Sequence, residues 1–305
     1  MYDVALTLSV HRHGGGDPTY RVFDGAVWRT SLTPDGPGTI RVATSGAGSV
    51  SVAVSASGSG DAEAWGPGGQ WLLDTLPAQL GALDSGAIPA TAPVLGEIAS
   101  RVPGLRIGRT DRVFEALVPA VLEQKVVSQE AHRAWKTLLF AFGTPAPGPA
   151  PAGMRVFPPP SEWARIPTWE WHKAGVEGVR ARTIMNAARV AGRLEQIVTL
   201  YDKPGGHAEA DQRLRSLPGI GVWTSAEIRQ RACGDPDAIS VGDYNLPKAV
   251  GWTLAGRRDA DDAMMLELLA PYQGQRYRAQ RLIELGGSAP PRRGPRMPVR
   301  DYRSI

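Results

Sequence analysis

The feature that most constrains this chain is a glycine-flanked turn at residues 217 to 224, LPGIGVWT, which lies between two segments of helical periodicity. Glycine reaches positive φ without steric cost, so Gly219 and Gly221 permit a hairpin whose backbone approaches another molecule closely. The turn leads into a predicted helix from Trp223 to Cys233, whose free N-terminal N–H groups are suited to a phosphate oxygen. A plain turn between two helices is the alternative interpretation.

The amino-terminal part, residues 1 to 92, has a β-rich pattern. Apolar residues alternate with polar or small ones at two places, which predicts strands there: Val4, Leu6, Leu8 and Val10, and then Val50, Val52 and Val54. Glycine-rich tracts near residues 14–16 and 45–60 lack the context of a nucleotide-binding loop and are interpreted as turns. A short helix is predicted over residues 70 to 83. We therefore expect an α+β domain built on an antiparallel sheet.

Residues 93 to 287 are predominantly helical in pattern, which makes the expected fold class mostly α. Thr110 or Asp111 is the predicted cap of a helix whose apolar residues recur at spacings of three and four, with a kink at Pro119. Further helices are predicted over residues 179–194, 208–216, 223–233, 246–254 and 275–285. The segment from 143 to 160 contains seven prolines and is predicted to be a connecting loop.

Composition limits the possible classes of protein. Among the 305 residues, 42% are hydrophobic and no apolar run reaches the roughly 20 residues that a membrane-spanning helix needs. The chain begins without the pattern of a secretory signal, and its single cysteine, Cys233, excludes an internal disulfide. We therefore expect a cytoplasmic protein, associated with the nucleoid if the source is prokaryotic.

Positive charge is concentrated at the carboxyl end. Residues 272 to 305 hold eight arginines and two acidic residues, a net charge of +6 against +4 for the whole chain. A clustered basic end suits a phosphate backbone, so residues 288–305 are predicted to be a basic tail that contacts nucleic acid. A solvated tail without a partner is the alternative.

A second motif follows the turn. Residues 239 to 248 read ISVGDYNLPK and place an acid, Asp243, just before a predicted helix. The pair LPGIGVWTSAEI and VGDYNLPKAVGW resembles the helix-hairpin-helix DNA glycosylase superfamily, in particular the 3-methyladenine DNA glycosylase II (AlkA-type) branch. The resemblance covers roughly residues 95 to 287, with the helix-hairpin-helix at 208–233 and the catalytic loop at 239–248. It implies a glycosylase that flips an alkylated purine out of double-stranded DNA.

The resemblance also implies roles for two residues. Asp243 matches the catalytic carboxylate, which stabilises the cationic sugar that develops when the glycosidic bond breaks. Capping of the following helix is a structural role for Asp243 that is compatible with the catalytic one. Relatives that also cut the DNA backbone carry a lysine at the position of Trp223, so we expect a monofunctional enzyme. The Trp223 indole is suited to stacking on an extruded base.

Other positions depart from the family pattern. Glu227 and Gln275 stand where aromatic residues are usual, and Tyr244, Trp252 or Tyr277 are candidates to replace them. Glu227 is interpreted either as a contact to the base or, preferably, as a solvated acid on a helix face. Lys125, after Gln124, matches the residue that fills the space left by the flipped base. The expected base pocket comprises Trp223, Glu227, Tyr244, Gln124 and Gln275.

The expected partner is double-stranded DNA that contains a damaged base, bound by a monomer. The residues predicted to contact DNA are Lys125, Leu217, Gly219, Gly221, Val222, Thr224, Lys248 and Arg276. No cofactor is required, although the resemblance allows Na+ or K+ on main-chain carbonyls of residues 217 to 222. The five histidines lack metal-ligand spacing and are interpreted as structural or surface residues. Two alternatives remain open: a glycosylase for a deaminated or bulky lesion, and a non-catalytic DNA-binding protein.

Overall fold

Four antiparallel strands form a sheet with the order β1-β2-β3-β4. A computed structural model describes residues 3–44, 62–88 and 93–288 of the chain. The strands are β1 (Tyr20–Phe23), β2 (Ala26–Thr33), β3 (Gly36–Ala43) and β4 (Ala62–Trp65). Helix α2 (Gly69–Gln79) packs Leu72 and Leu76 against Val27, Ile40 and Val42 of the sheet. The predicted antiparallel α+β arrangement and the predicted helix after it are confirmed.

The strand predicted from Val4 to Val10 is wrong. Residues Val4–Leu8 form helix α1, which continues as a 3-10 turn over Ser9–His11. Asp3 caps this helix, because its Oδ1 accepts the Leu6 N–H at 2.8 Å. Val4 and Leu8 lie one turn apart and are both buried against the sheet, so tertiary burial selected the helix over the alternating pattern. The strand predicted at Val50–Val54 and the glycine-rich tract at 45–60 lie outside the described residues.

The rest of the described chain is helical. None of the helices in its described part is long and apolar enough to cross a membrane. The helices are α3 (Pro93–Arg101), α4 (Val113–Leu122), α5 (Ser128–Phe142), α6 (Pro160–Trp163), α7 (Thr168–Lys173), α8 (Gly178–Arg189), α9 (Ala191–Glu195), α10 (Gly206–Arg215), α11 (Val222–Ile228), α12 (Leu246–Ala255), α13 (Asp262–Leu269) and α14 (Arg276–Gly286). A π-helical turn, Arg229–Cys233, continues α11, and 3-10 turns cover Gln196–Leu200 and Ala270–Tyr272.

Helix α4 runs through the larger helical core, and all but one of its residues are buried. Neither Thr110 nor Asp111 caps it, contrary to prediction. The cap comes instead from Glu195, whose carboxylate accepts the N–H groups of Val113 and Phe114 at 2.7 and 3.1 Å. A carboxylate at this end also complements the helix dipole. A sequence window around the helix does not contain this partner, because it lies 82 positions away.

Helices α4 and α11 run antiparallel. The N–H groups of Thr110 and Asp111, just before α4, donate to the carbonyls of Arg231 and Ala232 at the end of α11. At the opposite end, Gln124 contacts Thr224 at the start of α11. Helices α3, α12, α13 and α14 form a second core around Leu95, Val250 and Met265. The loop at 239–245 connects the two cores, so Asp243 lies at their boundary.

The proline-rich segment at 143–160 is mainly irregular, as predicted. Its ends pair as two short antiparallel strands, β5 (Thr144–Pro145) and β6 (Arg155–Val156). The Arg155 N–H also donates to the carbonyl of Pro18, and Thr30 donates to the carbonyl of Arg155. The segment therefore packs against the amino-terminal sheet. Of the predicted basic tail at 288–305, all but Ser288 lies outside the described residues.

Candidate nucleic-acid interface and active site

The hairpin between α10 and α11 has two different glycines. Gly219 has φ +90°, and a Cβ added there would lie 2.1 Å from Thr183 Oγ1, so both conformation and space require glycine. Gly221 has φ −96° and ψ −175°, an ordinary extended conformation, and a Cβ there would meet nothing within 4 Å. The expectation of positive φ is therefore confirmed only for Gly219. Between them, Ile220 is buried and anchors the hairpin in the core.

The residues predicted to contact DNA form two groups: some are exposed, and others are bonded to residues within the protein. Val222 is 40% exposed, and Lys125 is exposed at φ +54° on the loop after α4. Leu217 packs in part against the core, and its carbonyl accepts the Ile220 N–H. These positions lie around the hairpin, where open backbone can meet a phosphate.

Two members of that set are placed differently from the prediction. Thr224 is only 2% exposed, and its hydroxyl accepts the Gln124 side-chain amide, so the side chain lies inside the protein. Arg276 forms a two-point ion pair with Asp237, at the start of α14. Its charge is thereby matched within the protein, and its contact with DNA stays a prediction.

Asp243 occupies the start of α12. Its Oδ1 accepts the N–H groups of Asn245 and Leu246 at 2.7 and 2.8 Å, and its own N–H donates to the Ser240 carbonyl. Among the described residues both side-chain hydrogen bonds of Asp243 use Oδ1, which leaves Oδ2 as an acceptor. The side chain is half-buried. The predicted capping role is thus present, and it fixes a carboxylate whose second oxygen is free.

Glu227 is buried, contrary to the preferred interpretation of a solvated acid. It is 7% exposed; its Oε1 accepts the Ser240 hydroxyl at 2.5 Å, and its Oε2 accepts the Arg231 guanidinium at 2.6 Å. Burial raises the pKa of Glu227, while Arg231 and the Ser240 hydroxyl oppose that shift. The contact to Ser240 connects α11 with the loop that carries Asp243.

Trp223, Glu227 and Arg231 recur every four residues, which places the first two on one face of α11. The ion pair between Glu227 and Arg231 shows that the third lies on the same side. Trp223 is half-buried at the start of this row. Ser240 and Arg231 are functional candidates that the sequence analysis did not identify, although the acid–arginine spacing of four was a usable signal.

The remaining members of the predicted base pocket lie elsewhere. Gln124 is bound to the hairpin, because its Nε2 donates to the Gly219 carbonyl at 2.9 Å and to Thr224 Oγ1 at 2.8 Å. Tyr244 is 74% exposed, with the Lys248 ammonium 3.7 Å from its ring centroid. The side chain of Gln275 accepts from Arg278 and contacts Gly86. Tyr244 is therefore on the surface, and Gln275 faces the segment after α2.

Of the candidate replacements for the missing aromatic residues, Tyr277 is a buried residue of α14, and the Arg258 guanidinium lies 5.1 Å from the ring centroid of Trp252. No cluster of three or more histidine, cysteine or acidic side chains in the described ranges has the geometry of a metal site. Burial raises the pKa of the Cys233 thiol, so the single cysteine is a protonated core residue at neutral pH.

Comparison with known proteins identifies the fold. The fold matches a 3-methyladenine DNA-glycosylase from Archaeoglobus fulgidus with a TM-score of 0.69, at 16% identity over 93% of this chain and 94% of that chain. It also matches an 8-oxoguanine glycosylase/lyase from Clostridium acetobutylicum in complex with DNA, with a TM-score of 0.67, at 11% identity over 92% and 90%. No protein-family profile matches the chain. The described residues therefore have the fold of these DNA glycosylases.

Part of the chain is also similar in sequence to a curated protein. The chain is 35% identical over 154 residues to a probable bifunctional transcriptional activator/DNA repair enzyme AlkA of Mycobacterium tuberculosis. The aligned region is 50% of this chain and 30% of that relative, so it spans less than a third of the curated relative's length.

Proposed function

We propose that the chain is a monofunctional DNA glycosylase of base excision repair. It would flip an alkylated purine of the 3-methyladenine or 7-methylguanine type out of double-stranded DNA and leave an abasic site. The observation that carries the proposal is Asp243, a half-buried carboxylate with one free oxygen, linked through Ser240 and Glu227 to the helix that follows the hairpin. The names of the relatives, a DNA repair enzyme and a 3-methyladenine DNA-glycosylase, support it.

The chemistry follows from this carboxylate. A purine alkylated on a ring nitrogen is cationic and leaves with the electron pair of the glycosidic bond, which leaves positive charge on the sugar. Asp243 stabilises that charge through Oδ2, while Oδ1 stays fixed by two backbone N–H groups. Water then bonds to the sugar carbon, and its proton passes to the carboxylate. A preorganised group of this kind lowers the activation free energy by about 3 kcal/mol.

Absence of lyase activity is part of the proposal. A lyase needs an amine that forms a Schiff base with the sugar, and Trp223 stands where the family's lyases carry that lysine. Incubation with DNA containing an abasic site and sodium borohydride would trap such an adduct. We expect no covalent complex, whereas a trapped complex would contradict the monofunctional assignment.

The decisive experiment compares base release from methylated DNA by the wild type, Asp243→Asn and Asp259→Asn. Asparagine retains the oxygen that caps α12, so Asp243→Asn should keep its stability and DNA affinity while base release falls at least 100-fold. Asp259, exposed beside Arg257, is the matched control and should stay active when replaced. If binding and release fall together in Asp243→Asn, the acid is structural only.

A second candidate substrate is a neutral, hydrogen-bonding lesion such as a deaminated purine. The charged pair of Glu227 and Arg231 on the α11 face favours it, because polar side chains stand where the family usually has an aromatic ring. Release of a deaminated purine but no methylated base would select this candidate. Retained DNA binding with no base release of any kind would leave a non-catalytic DNA-binding protein.

The proposal extends to partners and location. A monomer would bind duplex DNA in the cytoplasm, which light scattering of the free and DNA-bound protein would test. Main-chain carbonyls of the hairpin are suited to a monovalent cation, although those of Leu217, Gly219 and Gly221 each already accept one hydrogen bond. If a cation binds there, replacing K+ by tetramethylammonium at equal ionic strength should weaken DNA binding.

A further inference from the structure

A small polar cavity lies where the amino-terminal part meets helices α4 and α11. We call it the interdomain cavity; its polar lining includes His11, Arg29, Thr110, Glu115, Trp135 and Arg231. Its walls are formed by the turn after α1, strand β2, helices α4 and α5, the segment before α4 and the turn after α11. None of these polar residues belongs to the site described above except Arg231.

His11 is a polar side chain without a partner in this cavity. It is 8% exposed, yet its imidazole forms no hydrogen bond to the parts of the chain that the structure describes. Arg29 is equally buried and donates to Gln79 Oε1. Burial, with Arg29 and Arg231 nearby, lowers the pKa of His11 well below its usual value. A neutral imidazole offers one donor and one acceptor, so His11 can donate to or accept from a ligand in the cavity.

The cavity is linked to Asp243 by consecutive contacts. The Asp243 N–H donates to Ser240, the Ser240 hydroxyl donates to Glu227 Oε1, and Glu227 Oε2 accepts from Arg231, which borders the cavity. Under the proposed function Asp243 faces the sugar, so the attached base must lie next to it. Arg231, the last residue of this row of contacts, lines the same cavity as His11.

The lining is complementary to an edge that carries a carbonyl next to an N–H group. Arg29 and Arg231 donate, Glu115 accepts, and His11 can do either. The Watson–Crick edge of guanine places a carbonyl acceptor beside an N–H donor, and it is complementary to a donor and a carboxylate held side by side. An adenine edge has no carbonyl for the guanidinium groups.

We propose that the interdomain cavity receives the keto edge of the extruded base and that His11 is a specificity-determining residue favouring guanine-derived over adenine-derived lesions. This inference rests on the proposed function for its substrate and on the unpartnered imidazole for its location. His11 recognises the base and takes no part in bond cleavage. Its loss should therefore change the ratio of the released bases more than the total amount of base released.

The test measures 7-methylguanine and 3-methyladenine released from the same methylated DNA. His11→Phe fills the cavity and removes both nitrogen atoms; we expect 7-methylguanine release to fall at least 10-fold and 3-methyladenine release by less than 3-fold. His11→Gln restores a donor and an acceptor and should recover part of the ratio. His172→Phe, at an exposed position on α7, is the matched control. An unchanged ratio in His11→Phe would overturn the proposal.

Two further measurements separate this inference from the proposed function. Thermal unfolding of His11→Phe should equal or exceed that of wild type, because no hydrogen bond is lost, so a loss of release cannot be assigned to misfolding. Titration of 15N-histidine-labelled protein with free 7-methylguanine should shift the imidazole nitrogens of His11. If these shifts occur but the protein releases no base from DNA, the binding site is supported and the proposed glycosylase activity is rejected. Base release without these shifts would reject the site alone.

Discussion

The side-chain amide of Gln124 donates to the carbonyl of Gly219 at 2.9 Å, across a separation of 95 residues in sequence. The same nitrogen donates to Thr224 Oγ1 at 2.8 Å. On the other side of the loop, the buried Arg180 guanidinium donates to the Leu122 carbonyl at 2.6 Å. The loop that presents Lys125 is therefore fixed to the hairpin and to α8. Both candidate DNA contacts are held as one unit.

Gln124→Ala should loosen this unit. Two hydrogen bonds are lost and the Thr224 hydroxyl stays buried without its donor, so the free energy of unfolding should fall by about 1–2 kcal/mol. DNA affinity should fall as well, because Lys125 no longer keeps its position relative to the hairpin. Urea unfolding and a DNA-binding titration measure the two effects. Gln129→Ala, at an exposed position on α5, is the control and should change neither.

Alanine at the two hairpin glycines should affect stability differently. Gly219→Ala forces a side chain into φ +90° and against Thr183, which should cost about 2 kcal/mol of stability or more. Gly221→Ala meets no protein atom, so its stability should match wild type. If the Gly221 backbone contacts phosphates, Gly221→Ala should nonetheless weaken binding to all DNA sequences equally. Full affinity in a stable Gly221→Ala protein would place DNA away from this turn.

Replacing Glu227 by alanine should destabilise the protein by about 3 kcal/mol, because it leaves the Arg231 guanidinium without its buried counter-charge. The double replacement Glu227→Leu with Arg231→Met removes both charges and should regain most of that loss. Chemical denaturation of wild type, Glu227→Leu, Arg231→Met and the double variant gives the coupling energy. Additive effects would mean that the pair does not act as a unit.

The contact between His207 and Asp235 predicts a dependence of stability on pH. Asp235 is 1% exposed and accepts from Arg229 at 2.6 Å, while His207 Nδ1 lies 3.4 Å from its carboxylate. Hydrogen bonding to Asp235 raises the pKa of His207. The stabilisation is thus fully present below the pKa of an unfolded histidine and is lost as pH rises through the raised value.

His207→Gln should therefore lower the free energy of unfolding more at pH 5.5 than at pH 8.5. The difference should stay below about 1 kcal/mol, because the His207 side chain is half-exposed. Toward acid a second effect begins. Burial alone would raise the pKa of Asp235, but His207 and Arg229 lower it to about 2, so its stabilisation is lost only as pH falls through that value. A stability difference that does not change with pH would contradict the assigned pair.

The sequence by itself determined the local features of this protein. The hairpin at 217 to 224, the capping acid Asp243 and most helices of the carboxyl-terminal two-thirds follow from glycine conformations, apolar spacing and cap residues. These signals act within a few positions along the chain, so a sequence window contains both partners. The antiparallel sheet also follows from the β-rich composition, although its first predicted strand is the helix α1.

Tertiary structure alone decided which polar side chains are buried and paired. Glu227 is buried because Ser240 and Arg231 donate hydrogen bonds to its two oxygens. Gln124 is bonded to the hairpin because Gly219 and Thr224 lie beside it. The cap of α4 from Glu195 and the lone imidazole of His11 likewise depend on elements far apart in sequence. The cost of burying a charge is decided by partners that folding brings together, and most of these partners lie far away in the sequence.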